Sequence, residues 1–117
     1  MTITDSGGEE LASELPPLHP GEMLLEEFLK PLGMSQYRLA QELKISPRRV
    51  HEIVLGRRGI TGDTALRLAR FFGVSAEFWM GLQTQYDLDL AIDRAGEEIA
   101  RTVRRLEYDE SRAVADD

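Results

Sequence analysis

The chain contains no cysteine, which excludes a disulfide framework and any thiolate metal site. Its two histidines, His19 and His51, lie far apart in sequence, so no His pair at ligand spacing exists and no metal is expected. No apolar run approaches 18 residues and no signal-peptide apolar core is visible, which makes a cytoplasmic protein with no membrane partner the expectation. No segment alternates apolar and polar residues with period two, so no strand is expected. There is no Gly-rich phosphate loop, no nucleophile–base pair and no internal repeat. Catalytic residues, cofactors and an enzymatic role are therefore not expected.

What is present points to a single small domain. The 117 residues are 42% apolar, enough for one modest core. The net charge of −7 argues against a general nucleic-acid binder, but the charges are segregated. Residues 1–27 hold seven acids and no Lys or Arg, and residues 86–117 hold ten acids against five arginines. Between Ser35 and Arg58 the balance reverses, with Arg38, Lys44, Arg48, Arg49, Arg57 and Arg58 against Glu42 and Glu52. A basic patch on an acidic chain can still hold phosphate, because exposed charges beyond about 10 Å are largely screened at ~0.1 M salt.

The apolar spacing is helical throughout, so the fold class is all-α. Residues 1–17, with Gly7-Gly8 and Pro16-Pro17, read as a disordered tail. A first helix runs from Pro20 to Leu32 and is ended by Pro31 and Gly33. Ser35 N-caps a second that reaches about Lys44, and Ser46 with Pro47 starts a third that stops at Gly56. Thr61 caps a fourth ending at Phe72 and Gly73, and Ser75 begins a fifth. Beyond it, Ile92, Ile99, Val103 and Leu106 continue one helical stripe across Gly96. The boundaries are 18–92 for the folded domain, 93–108 for a C-terminal helical extension and 109–117 for a second disordered tail.

Helices two and three are joined only by Lys44-Ile45, which makes a helix-turn-helix with Ala40 at the crossing and Ile45, Val50 and Ile53 pinning the third helix. Such a unit can lay that helix in the DNA major groove, about 12 Å wide. The candidate base readers are Pro47, Arg48, Arg49, His51 and Glu52. The candidate phosphate contacts are Ser35, Gln36, Lys44, Ser46, Arg57 and Arg58. Trp79, Tyr86, Leu90, Ile99 and Val103 form a run of apolar positions expected to pair two copies, although some of them could close the core of one chain instead. A homodimer on a pseudo-palindromic double-stranded operator follows.

The run Ser35-Gln36-Tyr37-Arg38-Leu39-Ala40 through Ile45-Ser46, Val50, Ile53 and Gly56 resembles the Xre/Cro-type helix-turn-helix of phage repressors. More narrowly, His19-Pro20-Gly21-Glu22, Leu25-Glu26-Glu27-Phe28, Pro31-Leu32-Gly33-Met34-Ser35, Pro47-Arg48-Arg49-Val50-His51-Glu52-Ile53, Arg57-Arg58-Gly59-Ile60-Thr61 and Phe78-Trp79 resemble the HigA-type antitoxins of bacterial toxin–antitoxin modules, over roughly residues 18–92. The resemblance implies a compact five-helix, lambda-repressor-like domain. It also implies a homodimeric repressor of its own operon that neutralises an mRNA-cleaving toxin of the RelE-like fold. A stand-alone Xre-type regulator without a toxin, or an interaction module that no longer binds DNA, remains the alternative. The turn departs from the pattern. Lys44 stands where many members of the superfamily carry glycine, at a position that often needs positive φ, which costs a non-Gly residue something like 1 kcal/mol. The implied toxin is a small basic ribonuclease, whose complement would be acidic. Glu22, Glu26 and Glu27 on the first helix offer one such surface. Asp87, Asp89, Asp93, Glu97 and Glu98 offer the other.

Overall fold

The computed structural model describes residues 16–107. Residues 1–15 of the first expected tail and the whole of the second, 109–117, lie outside the described residues. Five helices follow one another, with no strand among the described residues. This is the all-α, five-helix architecture expected from the sequence.

Helix α1 comprises Pro20–Met23, Leu24–Leu29 and Lys30–Leu32 in direct succession. His19 caps it, its Nδ1 accepting the Gly21 N–H at 2.9 Å. The central segment is wound as a π-helix, and the Lys30 N–H reaches back five residues to the Leu25 carbonyl. The helix ends at Leu32 with Gly33 as its left-handed cap, as expected, and Pro31 lies within its last turn. Proline has no N–H to place and its ring crowds the carbonyl four residues back; one wider turn just before it relieves both problems.

Helices α2 (Gln36–Leu43) and α3 (Pro47–Val54) are each capped by a serine. Ser35 Oγ accepts the Arg38 N–H at 3.0 Å and Ser46 Oγ accepts the Arg49 N–H at 3.1 Å. Helix α4 (Gly62–Phe72) begins at Thr61, and α5 (Ala76–Thr102) at Ser75. The core is one cluster that draws on all five, with Leu24, Leu39, Ile53, Leu68 and Trp79 almost fully buried. Each such side chain contributes roughly 1.5–3 kcal/mol by leaving water. The Trp79 ring lies 5.0 Å from Phe28 and 5.1 Å from Phe78. Its indole N–H is the one buried side-chain polar group among the described residues without a hydrogen-bond partner, a deficit of about 1–3 kcal/mol that the aromatic packing offsets.

Helix α5 corrects two expectations. The extension assigned to 93–108 is no separate element: the helix runs unbroken through Gly96 and stops at Thr102, so Val103 is its C-cap and Leu106 lies beyond it. The expected stripe from Ile92 to Leu106 therefore loses its last two members. The apolar residues of α5 also divide between two opposite faces. Trp79, Leu82, Tyr86 and Leu90 recur at i, i+3, i+7 and i+11 and are buried or half-buried on the core side. Leu88, Ile92, Ala95 and Ile99 recur at i, i+4, i+7 and i+11 on the other side, where the three larger ones are at least half exposed. Trp79, expected at a dimer interface, is 0% exposed within its own chain; a side chain already enclosed has nothing left to offer a partner.

Candidate nucleic-acid interface

The turn between α2 and α3 sets the angle at which α3 is presented. The chain reverses at Lys44, whose φ of 60° is the only positive value at a non-Gly residue among the described residues. The strain expected at this position is thus present. The turn closes as the Ile45 N–H donates to the Ala40 carbonyl at 3.1 Å, and Ala40 is small enough for the two helices to cross there. Past the other end of α3, beyond its C-cap Leu55, Gly56 takes φ 77°, a conformation that only glycine adopts without cost. The Arg57 N–H then donates to the Glu52 carbonyl at 2.8 Å, which completes a Schellman cap and directs Arg57 and Arg58 outward.

Two contacts fix α3 from behind. Gly21 sits so close to α3 that a Cβ there would fall 1.8 Å from the Ile53 carbonyl oxygen. His19, beside it, packs edge-on against Tyr86 with ring centroids 4.7 Å apart. Burial holds the His19 pKa below its ordinary value, against the opposing pull of Asp87 and Glu22. The His19-Pro20-Gly21 segment therefore clamps the back of α3 to α5. Its motif is visible in the sequence, but its reason is spatial.

The exposed face of α3 carries Pro47, Arg48 and His51. Arg48 extends into solvent with 85% of its side chain exposed while its Nε donates to Glu52 Oε2 at 2.9 Å. The other Glu52 oxygen receives Arg58 Nη2 at 2.7 Å. Hydrogen bonds from Arg58 and then Arg48 hold the Glu52 carboxyl below the usual range. His51 Nδ1 lies 3.0 Å from Gln36 Oε1, so the start of α2 and the middle of α3 form one polar edge. Ser35 and Ser46 accept backbone N–H groups as caps, which leaves their hydroxyl hydrogens free to donate. Lys44 is exposed at the turn and lines a shallow depression with Leu43, Asp63, Leu66 and Arg67.

Arg49 departs from expectation. A base reader must reach into the groove, but only 26% of the Arg49 side chain is exposed. Its guanidinium turns back to the first turn of α4 and donates to Asp63 Oδ2 at 3.0 Å and to Thr64 Oγ1. Asp63 also accepts Arg67 Nε at 2.8 Å, and Arg67 donates to the Leu43 carbonyl at 2.9 Å. Arg67 and Arg49 together hold the Asp63 carboxyl below its ordinary pKa. The cluster ties α2, α3 and α4 together. A negative side chain at the α4 N-terminus suits the helix dipole, which is the signal that could have marked Asp63 as a partner for Arg49.

Gln83 also escaped the sequence reading. From α5 its Oε1 accepts the Ile60 N–H at 2.6 Å, and its Nε2 donates to Asp87. This anchors the segment after α3 that carries Arg57 and Arg58. A lone glutamine in a helix gives no sequence signal for such a task. Among the described residues, no group of three or more His, Asp or Glu side chains could hold a metal, and no helix is long and apolar enough to cross a membrane.

A short-turned helix pair, capped by serines and clamped to three further helices, defines a helix-turn-helix domain. The helix-turn-helix family model matches residues 25–79. Virulence-associated protein I of Dichelobacter nodosus is 56% identical over 79 residues, which cover 68% of this chain and 73% of that protein. The addiction module antidote protein of the HigA family from Coxiella burnetii superposes with a TM-score of 0.76 at 46% identity, covering 79% of this chain and 100% of that one. Antitoxin HigA of Pseudomonas aeruginosa, solved with the higBA promoter, gives 0.76 at 44% identity over 78% and 99%. The chain belongs to the HigA-type family of Xre/Cro-like helix-turn-helix proteins.

Proposed function

We propose that this protein is a sequence-specific DNA-binding antitoxin that represses its own operon. The observation that carries this reading is the exposed α3 face. Arg48 and His51 project from a helix whose position is set by caps, a close glycine contact and an ion-paired cluster. Gln36, Arg57 and Arg58 flank it where the phosphates of one groove would run. A relative of 44% identity was solved with its promoter, which supports the same role here. The protein acts as a homodimer on a pseudo-palindromic operator, since one such unit reads only a few base pairs. Its partner is a small basic ribonuclease toxin of the RelE-like fold, bound directly. The exposed acids of α1 and of α5 provide the complementary charge, with Glu26 partly neutralised by Lys30 at 2.9 Å.

The test is a gel shift on the promoter upstream of its own gene, paired with co-expression of the neighbouring reading frame. Specific retardation that Arg48→Ala weakens, and rescue of cells from the neighbour's toxicity, are the expected results. A neighbour that is harmless alone would remove the antitoxin half and leave a plain transcriptional regulator.

A further inference from the structure

The exposed face of α3 offers a DNA groove very few hydrogen-bond acceptors. Pro47 has no polar side-chain atom, and the guanidinium of Arg48 only donates. Arg49 is turned back onto Asp63 and Thr64. Glu52 has both carboxylate oxygens engaged, Oε2 by Arg48 Nε at 2.9 Å and Oε1 by Arg58 Nη2 at 2.7 Å. That leaves the His51 ring, which is exposed and stands one turn along the face from Arg48. A neutral imidazole has one N–H and one bare nitrogen, and the partner of either one settles the other. His51 Nδ1 lies 3.0 Å from Gln36 Oε1. An amide oxygen only accepts, so Nδ1 carries the hydrogen and Nε2 is the bare nitrogen. The same polarity suits DNA. Phosphate oxygens only accept, so Gln36, at the first position of α2, turns its amide NH2 to the backbone and its oxygen to His51.

We infer that Gln36 orients His51 so that its Nε2 accepts a hydrogen bond from an exocyclic amine in the major groove. His51 is then a reader of adenine or cytosine, and Gln36 is its positioning residue. The inference rests on the DNA-binding reading above and adds the class of base. In the major groove only the 6-amine of adenine and the 4-amine of cytosine donate. Guanine presents O6 and N7 and thymine presents O4, all acceptors, and any of these would meet the Nε2 lone pair with no hydrogen between them. Arg48 has the opposite chemistry, since its remaining guanidinium N–H groups fit the O6 and N7 pair of guanine. One face of α3 thus carries a donor and an acceptor at i and i+3, about 4.5 Å apart along the axis at ~1.5 Å per residue. A half-site that satisfies both shows an acceptor edge and an amine side by side.

The test uses the full chain and its own promoter DNA at about pH 8.5, above the range in which histidines change charge. Footprinting locates the half-sites. Within them each adenine in turn is replaced by purine, which lacks the 6-amine, and each cytosine by 2-pyrimidinone, which lacks the 4-amine. Each guanine is replaced by 7-deazaguanine, which lacks N7. The expected result is an amine in each half-site whose removal weakens wild-type binding about five- to tenfold and weakens His51→Ala no further. Gln36→Glu keeps an oxygen for the Nδ1 hydrogen and loses the phosphate donor, so it should bind all DNA more weakly and retain the preference for that amine. Gln36→Met supplies neither group and should lose the preference as well. A His51-dependent loss at a 7-deazaguanine instead would overturn the polarity. No amine whose loss depends on His51 would overturn the reading role. A Gln36→Met variant that keeps the preference while melting earlier would reduce the pair to a brace between α2 and α3 and overturn the positioning role. A wild-type chain that does not retard its own promoter would overturn the DNA-binding reading and this inference together.

Discussion

Lys44 shows how one side chain can be placed against its own backbone preference. Its φ of 60° is required by the turn that sets α3, and a residue with a Cβ is strained there by about 1 kcal/mol. Lys44→Gly is expected to raise stability by roughly that amount, or several degrees in Tm for a domain of this size, while weakening DNA binding through loss of an exposed cation. Calorimetry and a salt-titrated gel shift separate the two effects. The neighbouring arginines divide in a similar way. Arg48→Ala should leave stability unchanged and weaken operator binding by about 1–3 kcal/mol, the value of a good bidentate base contact. Arg49→Ala should lower stability by roughly 1 kcal/mol, because it removes a half-buried charged link between α3 and α4. Equal melting temperatures for the two variants would contradict this division.

At the level of elements, α3 is held by close approach as much as by apolar burial. Gly21→Ala is expected to destabilise the domain by about 1–3 kcal/mol, since its Cβ meets the Ile53 backbone and α1 must move away from α3. Loss of operator binding at a temperature where the variant is still folded would show that this contact positions the reading helix. His19, next to it, couples the same contact to pH. Its folded-state pKa lies below the ordinary value, so the unfolded chain takes up the proton first as pH falls. Stability is full above the ordinary histidine value of ~6.5 and declines below it. The pH dependence of the urea midpoint should be shallower in His19→Asn, which keeps a capping side chain and does not titrate.

Across the whole molecule, the basic patch is more neutralised than its residue count suggests. Arg38 pairs with Glu42, Arg48 and Arg58 share Glu52, and Arg49 pairs with Asp63. Among the described residues, Lys44 and Arg57 have no acidic partner. Two unpaired cations per subunit give a salt slope near −1.8 at about −0.9 per phosphate, and the patch as counted from sequence would give a steeper one. Glu52→Gln releases Arg48 and Arg58 together. It should steepen the slope and raise affinity for unrelated DNA, with the preference for the operator reduced. An unchanged slope in that variant would mean that Glu52 does not restrain the arginines.

The features legible in the sequence are those that depend on covalent neighbours. Ser35, Ser46, Thr61 and Ser75 cap helices because a side-chain oxygen one turn before an apolar run has a free N–H within reach. Lys44 adopts positive φ because two residues cannot otherwise connect two helices. Tertiary structure decided the rest. Arg48 and Arg49 are adjacent and chemically identical, and the 100° step between them on a helix puts one in solvent and the other against Asp63 and Thr64. The two apolar faces of α5 are equally plausible core faces in sequence. Only the packing of the other helices buries Trp79, with Leu82 half-buried against the core, and leaves Leu88, Ile92 and Ile99 outside.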